Sequence, residues 1–129
     1  MNTIVANLIK ELEKQKLLID SFEVKYSKNN SKFKINLIIF WATFAEDLKN
    51  KIYKKFNLDN FIQERVIICF MRDNNNFYLD VRFSESTIYD ISECLCIPAD
   101  EASIISYNIC MELKSSLKDL ERMINNESL

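Results

Sequence analysis

The side chains best suited to metal binding or nucleophilic chemistry are four cysteines: Cys69, Cys94, Cys96 and Cys110. A structural zinc site from four cysteines needs Cys-x₂₋₄-Cys spacing at both ends, whereas Cys94 and Cys96 are separated by a single residue. All four lie in apolar stretches such as VIICFM and YNICME, where a free cysteine usually serves as a small buried side chain. The sequence therefore predicts four reduced, buried thiols, with no metal site and no cofactor.

Two residue types are missing, since the chain contains no histidine and no glycine. Without histidine, Ser-His-Asp and Cys-His nucleophiles and imidazole acid–base catalysis are ruled out. Without glycine, Walker and Rossmann phosphate loops and the nucleophile elbow of hydrolases cannot be built in standard form. Adjacent carboxylates such as Glu46 and Asp47 diverge by about 100° around a helix, which makes them poor catalytic pairs. We therefore expect a protein that is not an enzyme and has no catalytic residues.

Arginines in the second half offer one alternative function, the binding of a small anionic metabolite or nucleotide. Arg65, Arg72 and Arg82 carry planar donors suited to phosphate, and Tyr78 could stack on a base. Strand alternation predicts that Arg72 and Arg82 point outward, where arginines often serve solubility. We do not expect nucleic acid as a partner, because the lysine-rich segment KNKIYKKF is short, lacks arginine and belongs to a chain of pI near 5.2.

Charge is unevenly distributed along the chain. Residues 1–60 carry 11 lysines and seven acids, whereas residues 61–129 carry six bases and 12 acids. From Phe83 to Leu113 there is no base at all. Five acids of this stretch, which we call the acidic set, are candidates for docking on a basic surface of another protein. The acidic set comprises Glu85, Asp90, Glu93, Asp100 and Glu101.

Apolar spacing divides the chain into six segments within one predicted domain, residues 1–129. Helical periodicity predicts helices and two-residue alternation predicts β-hairpins. The predicted helices cover 1–18, 42–56 and 98–125, and the predicted hairpins cover 21–40 and 64–84. Residues 86–96 carry either a strand or a short helix; the helix is preferred, with Thr87 and Asp90 as a capping pair. The order α-ββ-α-ββ-α-α predicts a two-layer α+β fold with a four-stranded antiparallel sheet and helices.

The two hairpins repeat one another. SKNNSKFKINLI begins at residue 27 and MRDNNNFYLDVR begins 44 residues later, at residue 71. Adding 44 carries every inward apolar position from Phe22 to Ile39 onto another apolar residue, and it carries Thr43 onto Thr87. In the absence of glycine, left-handed backbone positions should fall to Asn or Asp, which explains the asparagines of both turns. We therefore expect a repeated helix-plus-hairpin unit with a two-fold arrangement of the hairpins.

The predicted outward side of the sheet is less polar than expected. Six side chains, which we call the outer band, point away from the predicted core. The outer band comprises Ile38, Phe40, Ile67, Cys69, Met71 and Tyr78. Left bare, it would exceed the apolar patches of most monomers. We therefore expect a cover, which is the chain's own C-terminal helix, a second copy in a homodimer, or another protein.

The last predicted helix also has more apolar surface than one core can use. Its first half is apolar almost all round, through Ile104, Tyr107, Cys110 and Met111, so we expect it to be packed on more than one side. Apolar runs such as Leu37 to Ala42 are too short to cross a bilayer, and the N-terminus lacks the pattern of a signal peptide. We therefore expect a cytoplasmic protein without membrane association.

Together these features favour a small non-enzymatic protein that regulates or inhibits a partner by occupying it. Immunity, counter-defence and chaperone proteins belong to this class, the last by analogy of fold alone. Frequent Lys, Asn and Ile suggest an AT-rich bacterial or phage genome. The expected partners are another protein with a basic surface and a second copy of this chain.

Overall fold

The computed structural model describes residues 3–26, 32–58, 64–73 and 76–126. Within them, four antiparallel strands and the helices follow the predicted order, which confirms the α+β fold class. The strands are β1 (Ile19–Tyr26), β2 (Lys32–Phe40), β3 (Arg65–Asp73) and β4 (Asn76–Arg82). The helices are α1 (Thr3–Lys14), α2 (Glu46–Phe56), α3 (Glu85–Leu95), α4 (Ala99–Ser116) and α5 (Lys118–Asn126). Residues 86–95 are thus helical, as preferred, and Cys96 is the C-cap residue.

The sheet is a meander in which each strand pairs with the next, in the order β1-β2-β3-β4. One row across its inner face joins Phe22, Leu37, Ile68 and Val81. The expected two-fold arrangement of the hairpins is wrong. In this order β1 corresponds to β3 and β2 corresponds to β4. The second hairpin is therefore related to the first by a translation across the sheet and not by a two-fold rotation. The Asn-rich turns at 27–31 and 74–75 lie outside the described residues.

The predicted alternation of buried and outward residues is confirmed on β2 and, except at the buried outward residue Cys69, on the first part of β3. Ile35, Leu37 and Ile39 of β2 and Val66 and Ile68 of β3 are buried in one connected apolar cluster that also includes residues of the helices. Burial of such side chains stabilises the fold by about 1.5–3 kcal/mol each.

On β1 the expectation that Phe22 is buried is wrong, because its side chain is 47% exposed. It lies on the inner face, opposite Leu37, but β1 is an edge strand with a neighbouring strand on one side only. The side chain therefore lacks half of the neighbours that cover the central strands.

A short 3₁₀ turn, Trp41–Thr43, connects β2 to α2. The Thr43 hydroxyl donates to the Phe40 carbonyl (2.7 Å) and accepts from the Leu18 amide (3.1 Å), while the Trp41 indole donates to the Tyr53 hydroxyl (2.8 Å). β4 reaches α3 without such a turn. The 44-residue repeat therefore does not extend beyond the hairpins, because Thr43 lies in the 3₁₀ turn whereas Thr87 lies in the first turn of helix α3. Thr87 is not the cap residue that we expected, because Ser84 occupies that position.

Three helices end on a residue with left-handed backbone: Lys16 (φ 61°), Asn57 (φ 58°) and Cys96 (φ 55°). In each case the next amide reaches back five residues, as in a Schellman motif. These amides are those of Leu17 (to Leu12, 2.9 Å), Leu58 (to Tyr53, 2.9 Å) and Ile97 (to Ser92, 3.1 Å). The expectation that Asn or Asp takes such positions holds for Asn57 and is wrong for the other two. There the Schellman bond fixes the backbone whatever the side chain.

The predicted C-terminal helix is broken at Leu117, which leaves the helical conformation with φ −101° and ψ 15°. Leu117 and Leu120 are buried in the main cluster, and α5 lies against α1. α4 packs mainly against α3 and β4. The break therefore allows the two halves of the predicted helix to contact different parts of the core.

Candidate protein-binding surface

The outer band lies on one face of the sheet, as predicted. The register places Ile38 opposite Ile67 and Met71 opposite Tyr78, with Cys69 between Asn36 and Asp80. None of the six side chains belongs to the main apolar cluster. The C-terminal helix does not cover the band, because Ile109 and Leu113 of α4 are buried in the cluster on the other face. Of the three expected covers, the one within the chain is therefore not found among the described residues.

The outer band is only partly open. Met71 and Tyr78 are 40% and 53% exposed, Ile38, Phe40 and Ile67 are half-buried, and Cys69 is buried. Burial raises the pKa of the Cys69 thiol, and the nearby Lys34 ammonium partly opposes this effect. The guanidinium of Arg65 lies 5.8 Å from the centre of the Phe40 ring, an example of a long charged side chain that covers apolar surface. The bare apolar area is therefore smaller than the sequence suggested.

Ion pairs surround the band on the same side of the sheet. The pairs are Lys25–Glu23 (3.2 Å), Lys32–Asp73 (3.4 Å), Arg65–Asp20 (2.8 Å) and Arg82–Asp80 (3.1 Å). Exposed pairs of this kind add little stability. They do, however, largely neutralise the charge of this face.

The three arginines of the predicted anion site do not come together. Arg65 and Arg82 are diagonal neighbours on the outer face, but each is engaged by an aspartate. Arg72 lies seven residues along β3 from Arg65, or roughly 23 Å at the usual rise of a strand. It also has the inward orientation of Ile68 and Phe70, so the expectation that it points outward is wrong. The structure therefore assembles no arginine cluster around Tyr78.

The acidic set is divided between α3 and the start of α4, and all five side chains are exposed. No ion pair joins any of them to a base within the described residues. On α3, Glu85, Tyr89 and Glu93 are spaced by four residues and therefore form one line on the helix surface. Tyr89 is 64% exposed between the two carboxylates. A sixth acid, Glu112, is different, because the Lys55 ammonium bonds to it and lowers the pKa of its carboxyl.

A cleft of about 550 Å³ joins the outer band to the acidic set. Ile38 and Ile67 of the band line the cleft together with Asp90 of α3. The remaining lining residues are Glu64, Arg65, Ser84, Ser86 and Thr87. Sequence reasoning treated the two regions as separate surfaces and missed Glu64 and the hydroxyl groups. The strand register brings the two regions together, because Arg82 pairs with Ile67 and α3 begins three residues after Arg82; no local pattern in the sequence reveals this proximity.

The cysteines are all thiols, but only Cys69 and Cys110 are buried; Cys94 and Cys96 are exposed, contrary to expectation. Cys94 is in the last turn of α3 and Cys96 is its C-cap residue, while their neighbours Leu95 and Ile97 pack against the core. Burial raises the pKa of the Cys110 thiol to about 11, while a hydrogen bond with the Phe83 backbone opposes the rise. The described residues contain no group of three or more side chains that could hold a metal ion.

Comparison with protein-family models, with curated proteins and with solved structures gave no match. No helix in the described part of the chain is both long enough and apolar enough to cross a lipid bilayer. The function must therefore be inferred from the chemistry of the cleft and the acidic set.

Proposed function

We propose that the protein is a small non-enzymatic regulator or inhibitor that binds a basic partner protein through the cleft and the exposed face of α3. The observation that carries this proposal is the cleft itself, which the apolar side chains of Ile38 and Ile67 line together with Asp90. Apolar and acidic groups side by side suit a partner that presents a basic side chain from an apolar surface.

A lysine or arginine side chain of the partner fits the cleft through both its aliphatic stem and its charged head. Its aliphatic stem packs on Ile38 and Ile67, while its charged head reaches Asp90 and the hydroxyl oxygens of Ser84 and Ser86. Arg65 also lines the cleft but does not oppose this cation, because it is bonded to Asp20 (2.8 Å) and lies 3.6 Å from Glu64.

The exposed face of α3 extends the same surface. Tyrosine is frequent at interface hot spots, and Tyr89 stands between Glu85 and Glu93. Carboxylates without a partner in the described chain accelerate encounter with a basic protein. Proteins that bind nucleic acids carry basic surfaces, so an immunity or counter-defence inhibitor of such a protein fits this surface better than a chaperone. We place this activity in the cytoplasm, because exposed thiols such as Cys94 and Cys96 suit a reducing compartment.

The experiment is affinity capture from the source cells with three versions of the chain: wild type, Asp90→Lys and Glu13→Lys. Glu13 is an exposed acid of α1, far along the chain from the cleft, and serves as the matched charge-reversal control. We expect one basic protein to be retained by the wild type and the control and lost by Asp90→Lys.

Titration of that purified partner then tests the contact directly. Asp90→Lys and Ile67→Asp should each weaken binding by about tenfold or more, and the wild-type affinity should fall as salt is raised. A partner that binds Asp90→Lys and Ile67→Asp as tightly as the wild type would show that the cleft is not the binding site.

A further inference from the structure

A second exposed surface runs along α4 and takes no part in the cleft. Ile104, Tyr107 and Met111 are 62%, 64% and 44% exposed. The sequence led us to expect this half of the helix to be packed on more than one side. In the described chain that expectation is wrong for these three side chains, because the buried residues Ile109, Cys110 and Leu113 lie on the other side of α4.

The exposed residues follow the spacing of a helix–helix seam. Asp100, Ile104, Tyr107, Met111 and Lys114 are separated by four, three, four and three residues, the repeat used by coiled coils. At 100° per residue they fall within a sector of about 80° on the helix surface. They therefore form one straight stripe, which we call the α4 stripe.

The ends of the α4 stripe carry opposite charges. Asp100 is in the first turn of α4 and Lys114 is in its last turn. Each lies seven residues from Tyr107, which corresponds to about 10.5 Å along the helix axis. A two-fold axis through Tyr107 therefore brings Asp100 of one copy opposite Lys114 of the other, twice, and brings Ile104 opposite Met111.

We propose that two copies of this chain pair through antiparallel α4 helices, with Tyr107 at the two-fold axis. Charge complementarity favours a second copy as the partner. The stripe has an acid at one end and a base at the other, so two stripes are complementary in charge only when they run antiparallel. Met111 and Lys114 also line a cleft of about 380 Å³ at the C-terminal end of the stripe, together with Glu112, Ser115, Lys118 and Glu121. In the pair, Asp100 of the other copy faces this cleft at Lys114.

The size of the stripe sets the expected affinity. Its three apolar side chains expose on the order of 300 Å² per copy, whereas a standard interface buries about 800 Å² per partner. Flanking residues such as Ser103 and Asn108, which are exposed, add to the contact. The pair is therefore a weak dimer that dissociates in the micromolar range. The proposal is independent of partner binding in the cleft, because the cleft beside Asp90 and the α4 stripe share no residue; Asp100 alone belongs to both the stripe and the acidic set.

Sedimentation velocity of the full chain tests the pairing at loading concentrations up to about 300 μM. We expect the mass to rise from 15.3 kDa toward twice that value. Asp100→Lys and Lys114→Glu should each weaken the dimer by about tenfold, because each places two like charges in contact. Glu13→Lys serves as the control and should leave the dimer unchanged.

The decisive sample is an equimolar mixture of Asp100→Lys and Lys114→Glu. In a mixed pair no like charges meet, because the new base at position 100 of one copy faces the new acid at position 114 of the other, and the native Lys114 faces the native Asp100. We expect the mixture to regain wild-type association, which loss of folding in either variant would not produce. A wild type that stays monomeric, or a dimer that neither charge reversal weakens, would overturn the proposal.

Discussion

Ile67 and Ile68 are neighbours in the chain on opposite faces of β3, and their replacement by alanine provides a sharp test of the one-sided sheet. Ile68 is fully buried, and its partners in the ladder are Leu37 and Val81, which are also buried. Ile67 is half-buried, lies between Ile38 and Arg82 on the outer face, and lines the open cleft beside α3.

The magnitudes follow from these surroundings. Ile68→Ala removes three buried carbons, worth about 2.5 kcal/mol of transfer free energy, and leaves a cavity, so the free energy of unfolding should fall by about 3–4 kcal/mol. Ile67→Ala leaves no closed cavity, because water can occupy the vacated space. Its loss should therefore be about 1 kcal/mol or less.

Urea denaturation followed by far-UV circular dichroism measures both losses, and an unchanged m-value shows that the two-state comparison is valid. Equal losses of stability in the two variants, or a loss of more than about 2 kcal/mol in Ile67→Ala, would contradict the one-sided burial of the sheet. Either result would mean that the outer band is covered as completely as the inner face. Measurement well below the dimer dissociation range keeps self-association out of the comparison.

Two further predictions concern the helix ends and the thiols. Lys16→Gly should raise the free energy of unfolding by about 0.5–1 kcal/mol, because glycine adopts the left-handed conformation without the clash of a Cβ. Asn57→Gly should change the free energy of unfolding by only about 0.3 kcal/mol, because asparagine already tolerates this conformation better than other residues with a side chain. In thiol labelling at pH 8, two exposed cysteines should react at once and Cys110 only on unfolding, because Cys110 is buried; burial also raises its pKa to about 11, which lowers the fraction of reactive thiolate. Immediate reaction of all four thiols would contradict the burial of Cys69 and Cys110.

The sheet could be predicted from the sequence because strand geometry has a period of two. Once Ile35, Leu37 and Ile39 were assigned to the core, the pleat placed Ile38 and Phe40 on the other face, whatever the rest of the chain did. The same logic located the outer band on one face. The strand order and the break of the last helix were beyond such reasoning, because both depend on which elements contact each other in space.

Exposure was the property that the sequence predicted least well. Phe22, Cys94 and Cys96 have the residue types of a core, yet each is exposed because of its place in the fold: Phe22 is on an edge strand and the cysteines are at a helix end. The cleft beside Asp90 was missed for a similar reason. Its residues come from β2, β3 and α3, and no local pattern in the chain relates them.

The bare face of α4 cannot be removed by a small change in how the helix packs. The buried residues of α4, such as Ile109 and Leu113, and the exposed apolar residues of the α4 stripe are centred roughly 160° apart around the helix. Rotation that buries Ile104 and Tyr107 would therefore expose Ile109 and Leu113 to water. Both sets can be buried at the same time only if a second surface lies against α4, and within the described residues the chain supplies none. The apolar excess in the first half of α4 is therefore better explained by association than by folding, and reversed pairing with another α4 also satisfies Asp100 and Lys114.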